Sequence, residues 1–159
     1  MKRQVLFSMV LVSALTASAQ RIDFNLTGRS ESQVNEPEYT AWAVNTCETE
    51  SKEVEDADGN PITITLANDA SYAGRRLKSC WFKNGLSSSK LIADGFAIYG
   101  YDENNNTPQV TEGAVRLNIT LKGLSAGKHS LMAYHNNNDG FNAPKLDVYV
   151  NGTKQQEGI

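Results

Sequence analysis

The chain is poor in the residues from which most small catalytic and metal sites are built. It has two cysteines and two histidines among 159 residues, and neither pair stands in Cys-x-x-Cys or His-x-x-x-His spacing. A structural zinc site draws on four such ligands in close pairs, so zinc is excluded as an organising element. No Gly-x-Ser-x-Gly occurs, which removes the nucleophile-elbow signal. Basic residues are not in excess. The formal net charge is −3, and an acidic balance argues against a nucleic-acid partner, which calls for a broad basic face. No repeat or heptad is present, and beyond residue 19 no apolar run approaches the roughly 20 residues of a membrane-crossing helix.

The apolar segment that does exist lies at the start. Lys2 and Arg3 precede the mostly apolar run Val5 to Leu15, and Ala17-Ser18-Ala19 supplies the small residues of a cleavage site. Residues 1–19 therefore read as a signal peptide, with cleavage near Ala19 and a secreted, periplasmic or cell-surface product. Loss of Lys2 and Arg3 makes the remainder more acidic still. Residues 20–159 suit one domain with its own core. In an exported chain Cys47 and Cys80 could be bridged, closing a loop of roughly thirty residues worth about 3–4 kcal/mol in the chain-entropy model. They could equally remain two thiols, and spacing alone leaves both readings open.

What is present is a series of short alternating segments. Ile22, Phe24 and Leu26 alternate with polar neighbours, as in a strand with one face in a core. Residues 28–38 read as a loop with a helical turn near Glu31, and Tyr39–Val44 as a short aromatic strand. The acidic stretch 45–60 ends in the turn signal Asp58-Gly59-Asn60-Pro61, followed by the strand Ile62–Leu66. Residues 67–78 read as loop, and Ser79–Phe82 as briefly extended. Residues 91–99 form a mostly apolar segment, and 102–108 a polar loop.

The stretch 111–138 reads as the organising element. Val115, Leu117, Ile119 and Leu121 alternate with Arg116, Asn118 and Thr120, and 123–127 reads as a turn. His129–His135 then returns as a second strand of a hairpin, with Leu117 and Ile119 expected in the core. Leu146–Val150 alternates again before the hairpin dipeptide Asn151-Gly152. Only a short return strand follows, so the domain is expected to be incomplete at its C-terminal end. The pattern as a whole predicts an all-β fold, an antiparallel β-sandwich.

Ile22-Asp23-Phe24, Val34-Asn35-Glu36-Pro37, Tyr39-Thr40-Ala41-Trp42, Trp81-Phe82-Lys83 and Asp94-Gly95 occur here in one order. They are followed by Thr107 to Gly113, Gly123 to Gly127, Ala133-Tyr134-His135-Asn136 and Asp147 to Gly152. The ordered set resembles the N-terminal β-sandwich module of secreted bacterial pectate-lyase-like proteins of polysaccharide lyase family nine. The resemblance implies a galactose-binding-type jelly roll that precedes a catalytic parallel β-helix. That helix would carry the catalytic lysine and the calcium-binding aspartates, so none of these maps onto this sequence. The resemblance thus implies a non-catalytic front end whose partners are a pectin-like polysaccharide and a downstream β-helix domain.

Arg75, Arg76, Lys78, Trp81 and Lys83 place four cations and an indole within nine residues. An indole face can stack on a sugar's C–H face while a guanidinium pairs with a uronate carboxylate; Trp81 could alternatively be core, as could Trp42. His135 and Asn136, at the expected end of a strand, join the candidate carbohydrate-binding set. His129 and His135 would lie roughly 20 Å apart along a strand, too far to share a metal. No cofactor is required. The loops containing Asp102 and Asp139 offer the hard oxygens calcium accepts, but in no EF-hand pattern. Carboxylates such as Glu112 and Asp139 cannot be paired across a sugar from sequence, and no enzyme activity is assigned to the chain.

Overall fold

The computed structural model describes residues 20–56, 58–68, 75–81, 89–102, 107–109, 116–134 and 146–158. The expected signal peptide, Lys83, His135, Asn136 and Asp139 lie outside the described residues. Within them the chain is all-β, with one helical turn. In chain order come β1 (Ile22–Asn25), α1 (Glu31–Val34), β2 (Thr40–Ala43), β3 (Thr49–Glu55), β4 (Pro61–Asn68), β5 (Arg75–Trp81) and a 3₁₀ turn (Lys90–Ile92). There follow β6 (Asp94–Asp102), β7 (Thr107–Gln109), β8 (Leu117–Lys122), β9 (Val148–Val150) and β10 (Thr153–Gln156). They form two three-stranded antiparallel sheets, β3-β4-β8 and β5-β6-β7, a β9-β10 hairpin, and a parallel pair β1-β2.

The core is built on β4. Its alternation turns Ile62, Ile64 and Leu66 inward, where they cluster with Trp42, Val44, Val54 and Leu77. Phe24 adds an aromatic link, 5.4 Å from Trp42 and 4.7 Å from Phe96 between ring centroids. Side chains of both three-stranded sheets and of the β1-β2 pair therefore meet in one apolar cluster. The Trp42 indole N–H donates to Glu50 Oε1 at 3.2 Å, and the same carboxylate accepts the Asn45 amide at 2.7 Å. This carboxylate ties the end of β2 to β3 while satisfying the buried indole.

The turns match their residues. Asp56 Oδ1 accepts the amides of Asp58 and Asn60 between β3 and β4, where Gly59 takes a φ of 80°. Asn151 and Gly152 both have positive φ, as a two-residue type I′ hairpin demands. At Gly123, φ is 89° and an added Cβ would collide with the Pro61 carbonyl, so glycine is required twice over.

Five expectations need correction. β3 was read only as acidic chain; it is a strand because β4 supplies its hydrogen bonds, and Val54 is its one buried residue. Residues 67–78 are not wholly loop: β4 runs to Asn68 and β5 begins at Arg75. Residues 129–134 are not a strand, so the expected central hairpin does not form among the described residues. β8 instead pairs with β4, setting Leu121 against Ile64 and Ile119 against Leu66. Leu117, Ile119 and Leu121 are exposed rather than core, because the cluster covers β4 but not the edge strand beside it. Exposure rises from 0% at Leu66 to 43% at its partner Ile119. Finally, β1 hides its polar side: Asp23 and Asn25 are more buried than Ile22 and Phe24.

Truncation costs should follow this gradient. Leu66→Ala should destabilise the chain by about 2–5 kcal/mol, and Ile119→Ala by about 1 kcal/mol or less, as measured by urea unfolding. Equal losses would place the core elsewhere.

Candidate functional site

The basic-aromatic segment is a strand, and a strand divides its residues between two faces. Leu77 and Ser79 are buried, and Trp81, on their side at the end of β5, emerges to 48% exposure. Arg76 and Lys78 point to the opposite side and are half-buried. The expected joint action of an arginine and the indole on one sugar unit is thus corrected: β5 separates them. Arg75 opens the strand, while Lys83, His135 and Asn136 fall outside the described residues. Of the two tryptophans, Trp42 is core and Trp81 is not.

The cysteines are both free and half-buried. Cys47 forms a lone antiparallel bridge with Leu77. Cys80 lies three residues farther along β5, about 10 Å at strand rise, beyond the roughly 7 Å within which two Cα atoms can be bridged. Cys47 Sγ contacts the Asn45 carbonyl at 3.4 Å and Glu50 Oε2 at 3.6 Å. Burial, reinforced by the Glu50 charge, raises its pKa.

A second polar group was not singled out from sequence. Asp23, Asn25 and Asp94 are 1%, 2% and 4% exposed. Asp23 Oδ2 accepts the Glu36 amide at 2.6 Å and Asp94 Oδ2 accepts the Leu26 amide at 2.7 Å. Ser79 Oγ accepts the Thr27 amide at 3.0 Å, so the end of β1 is pinned to both β5 and β6. Glu36 in turn accepts the Lys90 and Leu91 amides, at 2.8 and 3.2 Å. Those two backbone bonds, Leu91 first, hold its pKa down. Asp94 Oδ1 and both polar atoms of the Asn25 amide find no hydrogen-bond partner. Alternation could reveal the shared side of Asp23 and Asn25, but not that this side would be covered.

Asp102 ends β6, and Asp139 lies outside the described residues, so neither calcium candidate is assembled into a site here. Among the described residues no three His, Cys, Asp or Glu side chains gather to hold a metal on their own. No helix of the described residues is long and apolar enough to cross a membrane. An open groove lined by Gln20, Thr40, Glu53, Val54, Glu55 and Asp56 is acidic and offers no cation to a uronate. No family model matches this chain, and neither a curated protein nor a solved structure matches it.

Burial raises the Asp94 pKa from 3.8 to about 6, against the Leu26 hydrogen bond and with help from the Asp23 charge. The folded chain then keeps a proton that the unfolded chain releases, so this stability is present at about pH 4 and lost as pH rises through about 6. In chelator-treated buffer, wild type should lose on the order of 3 kcal/mol over that window relative to Asp94→Asn. Parallel urea midpoints for the two proteins would show otherwise.

Proposed function

We propose that the chain is a non-catalytic accessory module of an exported pectin-degrading lyase, a jelly-roll sandwich that binds a pectin-like polysaccharide. The sequence resemblance supports the class. The observation that carries the binding role is Trp81, a large indole left half in solvent at the end of a strand whose inward residues are core. An apolar ring face in that position suits the C–H face of a sugar. The described residues assemble no nucleophile and base in contact, and the chain's part is to hold substrate near a catalytic β-helix domain.

In affinity electrophoresis through polygalacturonate, Trp81→Ala should weaken retardation about two- to tenfold, the range of a lost aromatic contact. Arg76→Ala should change it little, because Arg76 lies on the other side of β5. Absence of retardation in the unaltered protein would remove the ligand assignment.

A second reading rests on a different observation. Leu117, Ile119 and Leu121 extend the inward row of β4 to the surface, and Leu124, Leu131, Met132 and Tyr134 are exposed in the same chain segment. Apolar surface of this kind marks an interaction site and suits packing against a neighbouring β-helix domain without any sugar. The isolated chain should then bind a hydrophobic dye strongly, and Ile119→Ser should cut that signal severalfold without loss of the β-type circular dichroism. An unchanged signal would place the apolar surface elsewhere.

A further inference from the structure

The layer beneath β1 has an unusual composition for a protein interior. Two carboxylates and a primary amide are almost wholly withdrawn from water, yet three of their polar atoms lack partners. An unpaired buried polar atom costs about 1–3 kcal/mol, and a buried uncompensated charge more. The nearest amine does not supply the compensation, since Lys90 Nζ is engaged by the Ser32 carbonyl at 2.7 Å. The two carboxylates are each anchored through one oxygen to a backbone amide, Asp23 to Glu36 and Asp94 to Leu26. Such anchoring fixes the carboxyl groups in place and leaves Asp94 Oδ1 uncommitted.

We infer that Asp23, Asn25 and Asp94 form a binding site for one calcium ion, held in the interior between β1 and the start of β6. Asp23 and Asn25 stand on one side of β1 because they are two residues apart in a strand, and Asp94 reaches the end of the same strand through Leu26. The second indication, independent of the carboxylates, is Asn25: both atoms of its amide are without a partner although the residue is 98% withdrawn from solvent, and whichever way the amide is turned it can offer an oxygen. Asn35 Oδ1, on the chain segment that covers β1, is a further unpartnered oxygen, its Nδ2 being held by the Glu36 and Tyr39 carbonyls.

The donor set selects the ion. It contains oxygen only, with no sulfur and no imidazole, which suits a hard cation rather than zinc. Two carboxylates bring two negative charges, and a divalent ion neutralises both. A proton shared between them would neutralise one and leave the Asn25 amide unpaired. Calcium tolerates irregular sets of six to eight oxygens, completed by main-chain carbonyls or water, whereas magnesium insists on octahedral geometry and retains most of its water. A buried layer therefore favours calcium. The site differs from the loops of Asp102 and Asp139, and it serves stability whichever surface meets the polysaccharide.

Calorimetric titration of the full chain, stripped with EDTA, against calcium chloride and against magnesium chloride is the test. The expected result is one calcium per chain, with magnesium at least about tenfold weaker, and a melting temperature that rises with calcium. Asp94→Asn should abolish the calcium response, and Asn25→Ala should weaken binding about tenfold or more, whereas Asp102→Asn should leave it unchanged. No heat of binding and no thermal shift at about millimolar calcium, the weak end of known protein sites, would overturn the assignment. So would binding that persists in Asn25→Ala, which also decides the matter should Asp94→Asn not fold.

Discussion

The rest of the structure depends on the inward row of a single strand. β4 is paired on both sides, by β3 and β8, and its Ile62, Ile64 and Leu66 form the floor on which Trp42, Val44 and Leu77 rest. A strand paired on both edges has its backbone groups satisfied, and its side chains can be committed to packing. β3 survives as a strand through that pairing despite its polar sequence. β8 obtains its ladder from the same source, but it lies at the edge of what the cluster can cover. One geometric fact thus explains both the firmest part of the interior and the exposed aliphatic row beside it.

β1 solves a different problem. Its partner β2 runs parallel, so the connection must cross over, and residues 26–39 with the short helix α1 provide that crossing. The crossing segment brings Val34, Asn35 and Glu36 over the side of β1 that an ordinary edge strand would give to water. Asp23 and Asn25 are enclosed as a result, while Phe24 faces the aromatic contacts with Trp42 and Phe96. Both sides of the strand are consumed, one by hydrocarbon and the other by oxygen.

Much of the architecture could be read from alternation and turn residues. The strands at Ile22–Asn25, Thr40–Ala43 and Ile62–Leu66, the helical turn at Glu31 and the Asn151-Gly152 hairpin all carry local signals. β3 carries none, since its strand state is conferred by a neighbour. The pairing of β8 was equally hidden: a period of two tells which residues share a face, but not which strand will lie alongside or whether a second layer will cover them. The same limit applied to the candidate site. Clustering in sequence suggested that Arg76 and Trp81 act together, and the strand between them sends them apart. Asp23 and Asp94, more than seventy positions apart, gave no hint that they belong to one layer.

Cys47 illustrates how packing sets reactivity without any dedicated chemistry. Its sulfur is shielded and faces the Glu50 carboxylate, so the protonated form is favoured. Attack on a disulfide requires the thiolate, and that species is scarce here. The carboxylate that fixes the Trp42 indole therefore also keeps an unbridged sulfur quiet, protecting the chain from mixed disulfides and scrambled dimers in an oxidising medium.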